Sequence, residues 1–156
     1  MDVLVLEIFE RLKQRGWMIA VAESCTAGLV AARIADVPGA SDFLDRGFVT
    51  YSNQAKMEML EVPPVLIETR GAVSAEVAEA MAGGALRASR AKIAVSVTGI
   101  AGPGGGSDEK PVGLVHIGVA TWDGAQGFVY RFDGDRAAIR RQSVEAALEC
   151  VRAVLA

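Results

Sequence analysis

Short apolar segments that alternate with helical patterns are the feature that most constrains the fold of this chain. Residues 17–22 form a continuous apolar run of strand length, which is the pattern of a strand that a parallel sheet buries on both faces. Further strands are predicted over residues 47–51 and 92–97. Segments with helical spacing follow the first two strands and precede the third, which is followed by a glycine-rich loop. Strands that alternate with helices predict a largely parallel sheet with helices on both faces.

The rest of the chain extends this pattern without an internal repeat, a linker or a low-complexity segment. A first helix is predicted to end at Gly16, and the others are predicted over residues 27–37, 53–60, 74–90 and from an Asp135 cap to Leu155. Residues 114–121 and 127–132, joined by Asp123 and Gly124, are typical of a hairpin. We therefore expect one α/β domain over residues 1–156, a three-layer α/β/α sandwich with a mixed, mostly parallel sheet of about five strands.

Charge and composition exclude several classes of protein. Sixteen basic against 19 acidic residues give a net charge of −3, so no global basic field would draw the chain to nucleic acid or to an anionic membrane. The sequence has no apolar run long enough to span a bilayer and no basic segment of the signal-peptide type at its start, and we predict a cytoplasmic protein. Two distant cysteines and one histidine make a disulfide framework or a metal site an unfavourable interpretation, and no cofactor is expected.

Three polar or glycine-rich segments follow the predicted parallel strands. They cover residues 22–28, 50–56 and 98–113. Because open α/β sheets bind ligands at the carboxyl ends of their strands, we expect these segments to meet at one edge of the sheet.

Ser24 lies at a turn from a strand to a helix, where free backbone N–H groups favour a developing negative charge. This position suits a nucleophile beside an oxyanion hole. The alternative is that Ser24 or Thr26 only caps the helix. Cys25 competes as nucleophile, since a helix N-terminus favours the thiolate, although a free cysteine is more often a small buried apolar residue.

Lys56 is predicted in the first turn of a helix, where the helix dipole penalises the charged amine. Desolvation there would lower its pKa further, towards the range of a general base. A solvated surface lysine is the alternative interpretation. Tyr51 and Asn53 flank the same position and could orient a substrate, although Tyr51 could equally be a packing residue at the strand end.

The third segment is the richest in glycine, and its backbone N–H groups could approach an anion closely. The order of Gly99, Gly102 and Gly104 matches neither a Walker A loop nor a GxGxxG motif, and a flexible lid is the alternative. Lys110 could supply positive charge to a phosphate from this loop.

Three arginines begin the last predicted helix, at positions 136, 140 and 141. Arg136 and Arg140 share a helix face at i, i+4, which suits a phosphate or carboxylate clamp but more often marks a solvated face. His116 lies within an apolar strand and is predicted to be a core residue, so a hydrolytic base would have to be a lysine or a carboxylate. We expect Lys56, Lys110 and Arg140 to form a local cationic pocket.

Five ordered blocks of sequence resemble the CinA C-terminal domain family, and they span the chain from the first helix to the last. The blocks are residues 22–28, 47–56, 71–74, 97–103 and 109–113. Stand-alone members of that family are nicotinamide-nucleotide amidohydrolases. Ala27 stands where the first block of the family usually has its first glycine, which adds one methyl group near the turn after Ser24.

The resemblance implies hydrolysis of the carboxamide of nicotinamide mononucleotide, with Ser24 as nucleophile and Lys56 as base. The small-molecule substrate is the expected partner, no metal or cofactor is implied, and a homo-oligomer is compatible with the sequence. The substrate-binding residues that we predict are Glu23, Cys25, Thr26, Tyr51, Asn53, Thr98, Gly99, Gly102, Gly104, Lys110 and Arg140.

Two other hypotheses stay open at this point. One keeps the reaction but uses Cys25 as nucleophile with Glu23 and Lys56. The other is a non-catalytic module that binds a nucleotide or docks a partner.

Overall fold

The structure, a computed structural model, describes all residues from Met1 to Ala156. Its five strands are β1 (Ile19–Glu23), β2 (Leu44–Val49), β3 (Ile93–Gly99), β4 (Leu114–Thr121) and β5 (Gly124–Arg131). Its six α-helices are α1 (Val3–Arg15), α2 (Leu29–Ala35), α3 (Asn53–Leu60), α4 (Pro64–Arg70), α5 (Ala75–Arg87) and α6 (Arg136–Val154). A short 3-10 turn, Ala40–Asp42, precedes β2.

The strands form one mixed sheet in the order β2-β1-β3-β4-β5. β1 pairs in parallel with both β2 and β3, whereas β4 runs antiparallel to β3 and forms a hairpin with β5. This arrangement confirms the predicted α/β fold with a five-stranded mixed sheet. All five residues of β1 are buried, as expected for a central strand.

Helices cover both faces of the sheet, and the two faces carry side chains of different size. On the face towards α1, α2 and α6 the central strands present large residues such as Ile19, Val21 and Val95. On the face towards α5 they present alanines such as Ala20 and Ala94. Because these side chains are small, α5 can approach the sheet closely. Helix α5 completes the predicted three layers.

Several element predictions differ from the structure, among them the start of β1 at Ile19 instead of residue 17 and the end of α5 at Arg87 instead of residue 90. Helix α2 begins at Leu29 instead of residue 27, because Ala27 (φ 48°) and Gly28 (φ 100°) adopt left-handed backbone conformations. Helix α4 was not predicted, since proline ends a helix but is also accepted in the first turn of the next one. Strands β2 and β5 each begin three residues earlier than predicted.

His116 is half-buried instead of lying fully in the core, which corrects its predicted place. Its Nδ1 atom is buried and lacks a hydrogen-bond partner. Desolvation lowers the pKa of the imidazole, and the nearby charge of Lys110 lowers it further, so the ring favours the neutral form. None of the helices is both long and apolar enough to traverse a bilayer.

Candidate active site

Ser24 follows the last residue of β1 and is held at the carboxyl end of this interior strand. Its backbone N–H donates to the carbonyl oxygen of Val97 on β3 at 3.0 Å. Only 8% of the residue is exposed. The Ser24 carbonyl oxygen accepts a 3.1 Å hydrogen bond from the N–H of Ala27, so residues 24–27 form a tight turn before α2.

Lys56 reaches Ser24 from the first turns of α3. The Ser52 hydroxyl caps this helix by accepting from the N–H of Ala55 at 3.0 Å. The Nζ atom of Lys56 lies 3.0 Å from Ser24 Oγ and 2.8 Å from the carbonyl oxygen of Thr50. The two side chains are therefore in hydrogen-bond contact although they are 32 positions apart in sequence.

The environment of Lys56 favours its neutral amine. The residue is 1% exposed and takes part in none of the salt bridges of the molecule. Burial without a carboxylate partner lowers the pKa of the amine from its ordinary value of 10.5. A neutral amine at this distance can accept the Ser24 hydroxyl proton, which is the role of a general base.

Cys25 is adjacent to this pair but lacks the character of an activated thiol. It is 5% exposed, and burial raises the pKa of its thiol to about 11. Since the thiolate is the nucleophilic form, the thiol is poorly suited to attack at neutral pH.

The carboxylate of Glu23 faces away from the Ser24–Lys56 pair and binds the start of α2. Its Oε1 atom accepts from Thr26 Oγ1 at 2.7 Å and from the N–H of Val30 at 2.8 Å, and its Oε2 atom accepts from the N–H of Ala31 at 3.1 Å. Glu23 and Thr26 are both fully buried. They act within the protein, as braces of the turn that carries Ser24.

A cavity of about 270 Å³ opens over the Ser24–Lys56 pair. Its walls come from the turn after β1, the start of α3, the segment before α5, the glycine-rich loop after β3 and the start of α6. The lining residues are Ser24, Cys25, Tyr51, Asn53, Lys56, Ala72, Val73, Thr98, Gly99, Ile100, Ala101, Gly102, Gly104, Gly105 and Arg136. A larger groove of about 570 Å³ lies between α1 and Phe43, but it lacks such a pair.

The structure brings most of the predicted site residues to this cavity, but not all of them. Glu23, Thr26, Lys110 and Arg140 do not line it. Lys110 donates through Nζ to the carbonyl oxygen of Arg70, and Arg140 binds the backbone behind the Ser24 turn. The expected cationic pocket of Lys56, Lys110 and Arg140 is therefore not formed.

Arg136 supplies the cationic group that faces the cavity in their place. Its Nη1 atom donates to the carbonyl oxygen of Gly102 and its Nη2 atom to the hydroxyl of Tyr51, each at 2.8 Å. The i, i+4 pairing of Arg136 with Arg140 was a sequence signal for both, but it could not indicate which of them faces the cavity. The lining residues Ala72 and Val73 belong to the 71–74 block of the family resemblance, but they were not among the predicted site residues.

The fold and the site define an α/β protein with a serine–lysine pair at the carboxyl ends of parallel strands. Within that class, the family model described as the CinA C-terminal domain matches residues 2–155. The chain belongs to the CinA C-terminal domain family.

Relatives of this chain are of two lengths. A protein named nicotinamide-nucleotide amidohydrolase PncC from Enterobacter agglomerans is 51% identical over 147 residues, which cover 94% of this chain and 90% of the relative. A putative competence-damage inducible protein from Caldicellulosiruptor bescii is 52% identical over 141 residues, 90% of this chain but 34% of the relative. The chain thus spans about a third of the length of several curated relatives that it matches.

A solved structure supports the fold independently. The crystal structure of the competence/damage inducible protein CihA from Agrobacterium tumefaciens matches with a TM-score of 0.93 and 48% identity. The match covers 97% of this chain and 93% of that one.

Proposed function

We propose that this protein hydrolyses the carboxamide of nicotinamide mononucleotide to give nicotinate mononucleotide and ammonia. The observation that carries the proposal is the buried Lys56 amine, which has no carboxylate partner and lies 3.0 Å from Ser24 Oγ beside an open cavity. The substrate class is supported by the near-full-length relatives named nicotinamide-nucleotide amidohydrolase.

The proposed reaction proceeds through an acyl-enzyme. Neutral Lys56 takes the proton of the Ser24 hydroxyl as Ser24 Oγ attacks the amide carbon, and the carbonyl oxygen becomes an oxyanion. The C–N bond then breaks, and the proton held by Lys56 leaves with the nitrogen as ammonia. A water molecule, deprotonated by the same amine, attacks the ester carbon and releases the carboxylic acid and the Ser24 hydroxyl.

The turn after Ser24 is the proposed oxyanion site. The backbone N–H group of Cys25 donates to no other residue, and Cys25 lines the cavity, so this N–H is free to bind the developing negative charge. Donors placed next to the nucleophile, at the end of a strand, favour the transition state over the planar amide.

The glycine-rich loop and Arg136 are proposed to bind the nucleotide part of the substrate. Gly102, Gly104 and Gly105 line the cavity beside the Arg136 guanidinium. A guanidinium and close backbone N–H groups are the usual partners of a phosphate. Tyr51 and Asn53 also line the cavity, with the Tyr51 hydroxyl bound to Arg136, and they are proposed to contact the ring or the ribose.

An ammonia-release assay tests the proposal. Nicotinamide mononucleotide, nicotinamide riboside and free nicotinamide serve as parallel substrates, and we expect the mononucleotide to be preferred. A preference for free nicotinamide would contradict the proposed phosphate site. Binding of the mononucleotide without ammonia release would favour a non-catalytic nucleotide-binding module instead.

The choice of nucleophile is tested by a matched pair of variants at adjacent positions. Ser24→Ala removes the proposed nucleophile, and we expect ammonia release to fall to background. Cys25→Ser removes the competing thiol, and we expect most of the activity to remain. The opposite pattern would assign the reaction to Cys25.

A further inference from the structure

Arg140 reaches the turn after Ser24 from α6, on the side away from the cavity. Its Nε atom donates to the carbonyl oxygen of Cys25 at 3.0 Å, and its Nη2 atom donates to the carbonyl oxygen of Thr26 at 3.2 Å. The guanidinium therefore binds two consecutive carbonyl groups of the segment that follows the nucleophile, across 115 positions of sequence.

These contacts fix the direction of a backbone N–H group. In a planar trans peptide the carbonyl of one residue and the N–H of the next point in opposite directions. Arg140 holds the carbonyl of Thr26, so the N–H of Ala27 points away from Arg140 and donates to the Ser24 carbonyl at 3.1 Å. The N–H of Cys25 is fixed in the same manner, because its peptide partner, the Ser24 carbonyl, accepts from Ala27.

The charge of Arg140 acts on the same peptides. None of the salt bridges of the molecule includes this arginine, so no carboxylate binds it directly. A cation bound to a carbonyl oxygen polarises the peptide and makes its N–H a stronger donor, because linked hydrogen bonds reinforce one another. The carboxylate of Glu23 braces the opposite side of the turn through Thr26 Oγ1.

We propose that Arg140 is a positioning residue of the oxyanion site and not a ligand of the substrate phosphate. The proposal rests on the proposed amidohydrolase function of Ser24. Arg140 orients and polarises the peptide between Thr26 and Ala27, whose N–H binds the Ser24 carbonyl. The free N–H of Cys25 is thereby held in place to meet the oxyanion that forms when Ser24 attacks.

The two roles of Arg140 predict different kinetics. A phosphate ligand binds only the mononucleotide, so its loss would raise KM for nicotinamide mononucleotide and leave nicotinamide riboside unaffected. A positioning residue acts on the transition state of both substrates, so its loss lowers kcat for both by a similar factor. Loss of an oxyanion-hole donor lowers kcat by about 100- to 1,000-fold, and a misdirected donor is expected to cost about 10- to 100-fold.

The test compares Arg140→Gln and Arg140→Lys with Arg141→Gln, a substitution of the exposed neighbour on α6. We expect Arg140→Gln to lower kcat for both substrates with little change in KM. Arg140→Lys should recover part of that loss, because the amine keeps the positive charge. The recovery should be incomplete, because the amine lacks the planar set of N–H groups with which the guanidinium binds two carbonyl oxygens at once. Arg141→Gln should behave as wild type.

A second readout does not depend on the substrate. A fluorophosphonate probe phosphonylates serine nucleophiles: the serine Oγ attacks phosphorus, negative charge develops on the phosphoryl oxygen, and fluoride leaves. The rate of this reaction at Ser24 is measured by mass spectrometry. We expect Arg140→Gln to slow this rate about 10-fold or more, with the folded fraction of each variant taken from its thermal unfolding curve.

The outcomes separate the two proposals. If wild type reacts with the probe but does not hydrolyse nicotinamide mononucleotide, the proposed function fails while the probe rates still test Arg140. A rise in KM confined to the mononucleotide, or a probe rate in folded Arg140→Gln equal to that of wild type, would overturn the positioning role.

Discussion

A buried lysine without a carboxylate partner predicts a pH-dependent change in stability that Lys56→Met removes. In the folded protein desolvation lowers the Lys56 pKa, whereas in the unfolded chain the amine titrates near 10.5. Between these two pKa values the unfolded state binds a proton that the folded state does not. The free energy of unfolding of wild type therefore rises with pH in this window, by up to about 1.4 kcal/mol per pH unit.

The variant lacks this titration, so the difference between the two proteins carries the effect. Lys56→Met leaves Ser24 Oγ and the Thr50 carbonyl without the Nζ partner, a cost of about 1–3 kcal/mol that does not depend on pH. On top of that constant, the stability of the variant relative to wild type should fall as pH rises through the window. The slope shows that the pKa of Lys56 is lowered, and the pH at which the slope begins reports its value in the folded protein.

Urea unfolding followed by tryptophan fluorescence, repeated from neutral pH to about pH 10, measures this slope. Lys92→Met is the control, because Lys92 is exposed and its replacement should give a difference that stays flat. The rise of kcat/KM with pH should have its midpoint in the same window, since the free base is required for attack. A flat difference for Lys56→Met would refute the lowered pKa and, with it, the assignment of Lys56 as base.

Three further predictions concern the sheet and the turn. Gly118→Ala should destabilise the protein by about 3 kcal/mol or more in urea unfolding, because the added Cβ would lie 2.4 Å from the backbone oxygen of Ala78. Ser96→Ala should cost about 1–3 kcal/mol by the same measurement, since the buried Ser96 hydroxyl binds both the Ala78 carbonyl and the N–H of Gly118. Cys25 should resist iodoacetamide at neutral pH until the protein unfolds, as followed by mass spectrometry, because its thiol is buried and has a raised pKa; rapid native alkylation would contradict this assignment.

The sequence predicted the order of strands and helices well, because the signals for them are local. Examples are the apolar run of residues 17–22 and Gly16, the glycine that ends the first helix. The predicted fold placed the segments that carry Ser24 and Lys56 close together, since the carboxyl ends of neighbouring parallel strands meet at one edge. The pairing of the two side chains was implied only by the family resemblance. The boundary of α2 was wrong because the positive φ of Ala27 is imposed by the packed turn and not by its own preference.

Sequence patterns could not predict which polar side chains face the cavity and which bind other parts of the protein. Glu23 and Thr26 stand next to Ser24 in the chain, yet their side chains bind each other and the start of α2. Arg136 and Arg140 lie on one helix face, yet one faces the cavity and the other the back of the turn. A side chain's direction over such short distances depends on the three-dimensional contacts around it, which a spacing does not encode.

The distances in sequence between the members of the site determine how late in folding the site can form. The partner of Ser24 lies on α3 and the brace of its turn on α6, so hydrogen bonds that close loops of 32 and 115 residues must both be in place. Closure of such loops costs chain entropy before the contacts repay it. No hairpin or helix pair of this chain contains a complete site, and the reactivity of Ser24 therefore belongs to the finished fold and not to any of its fragments.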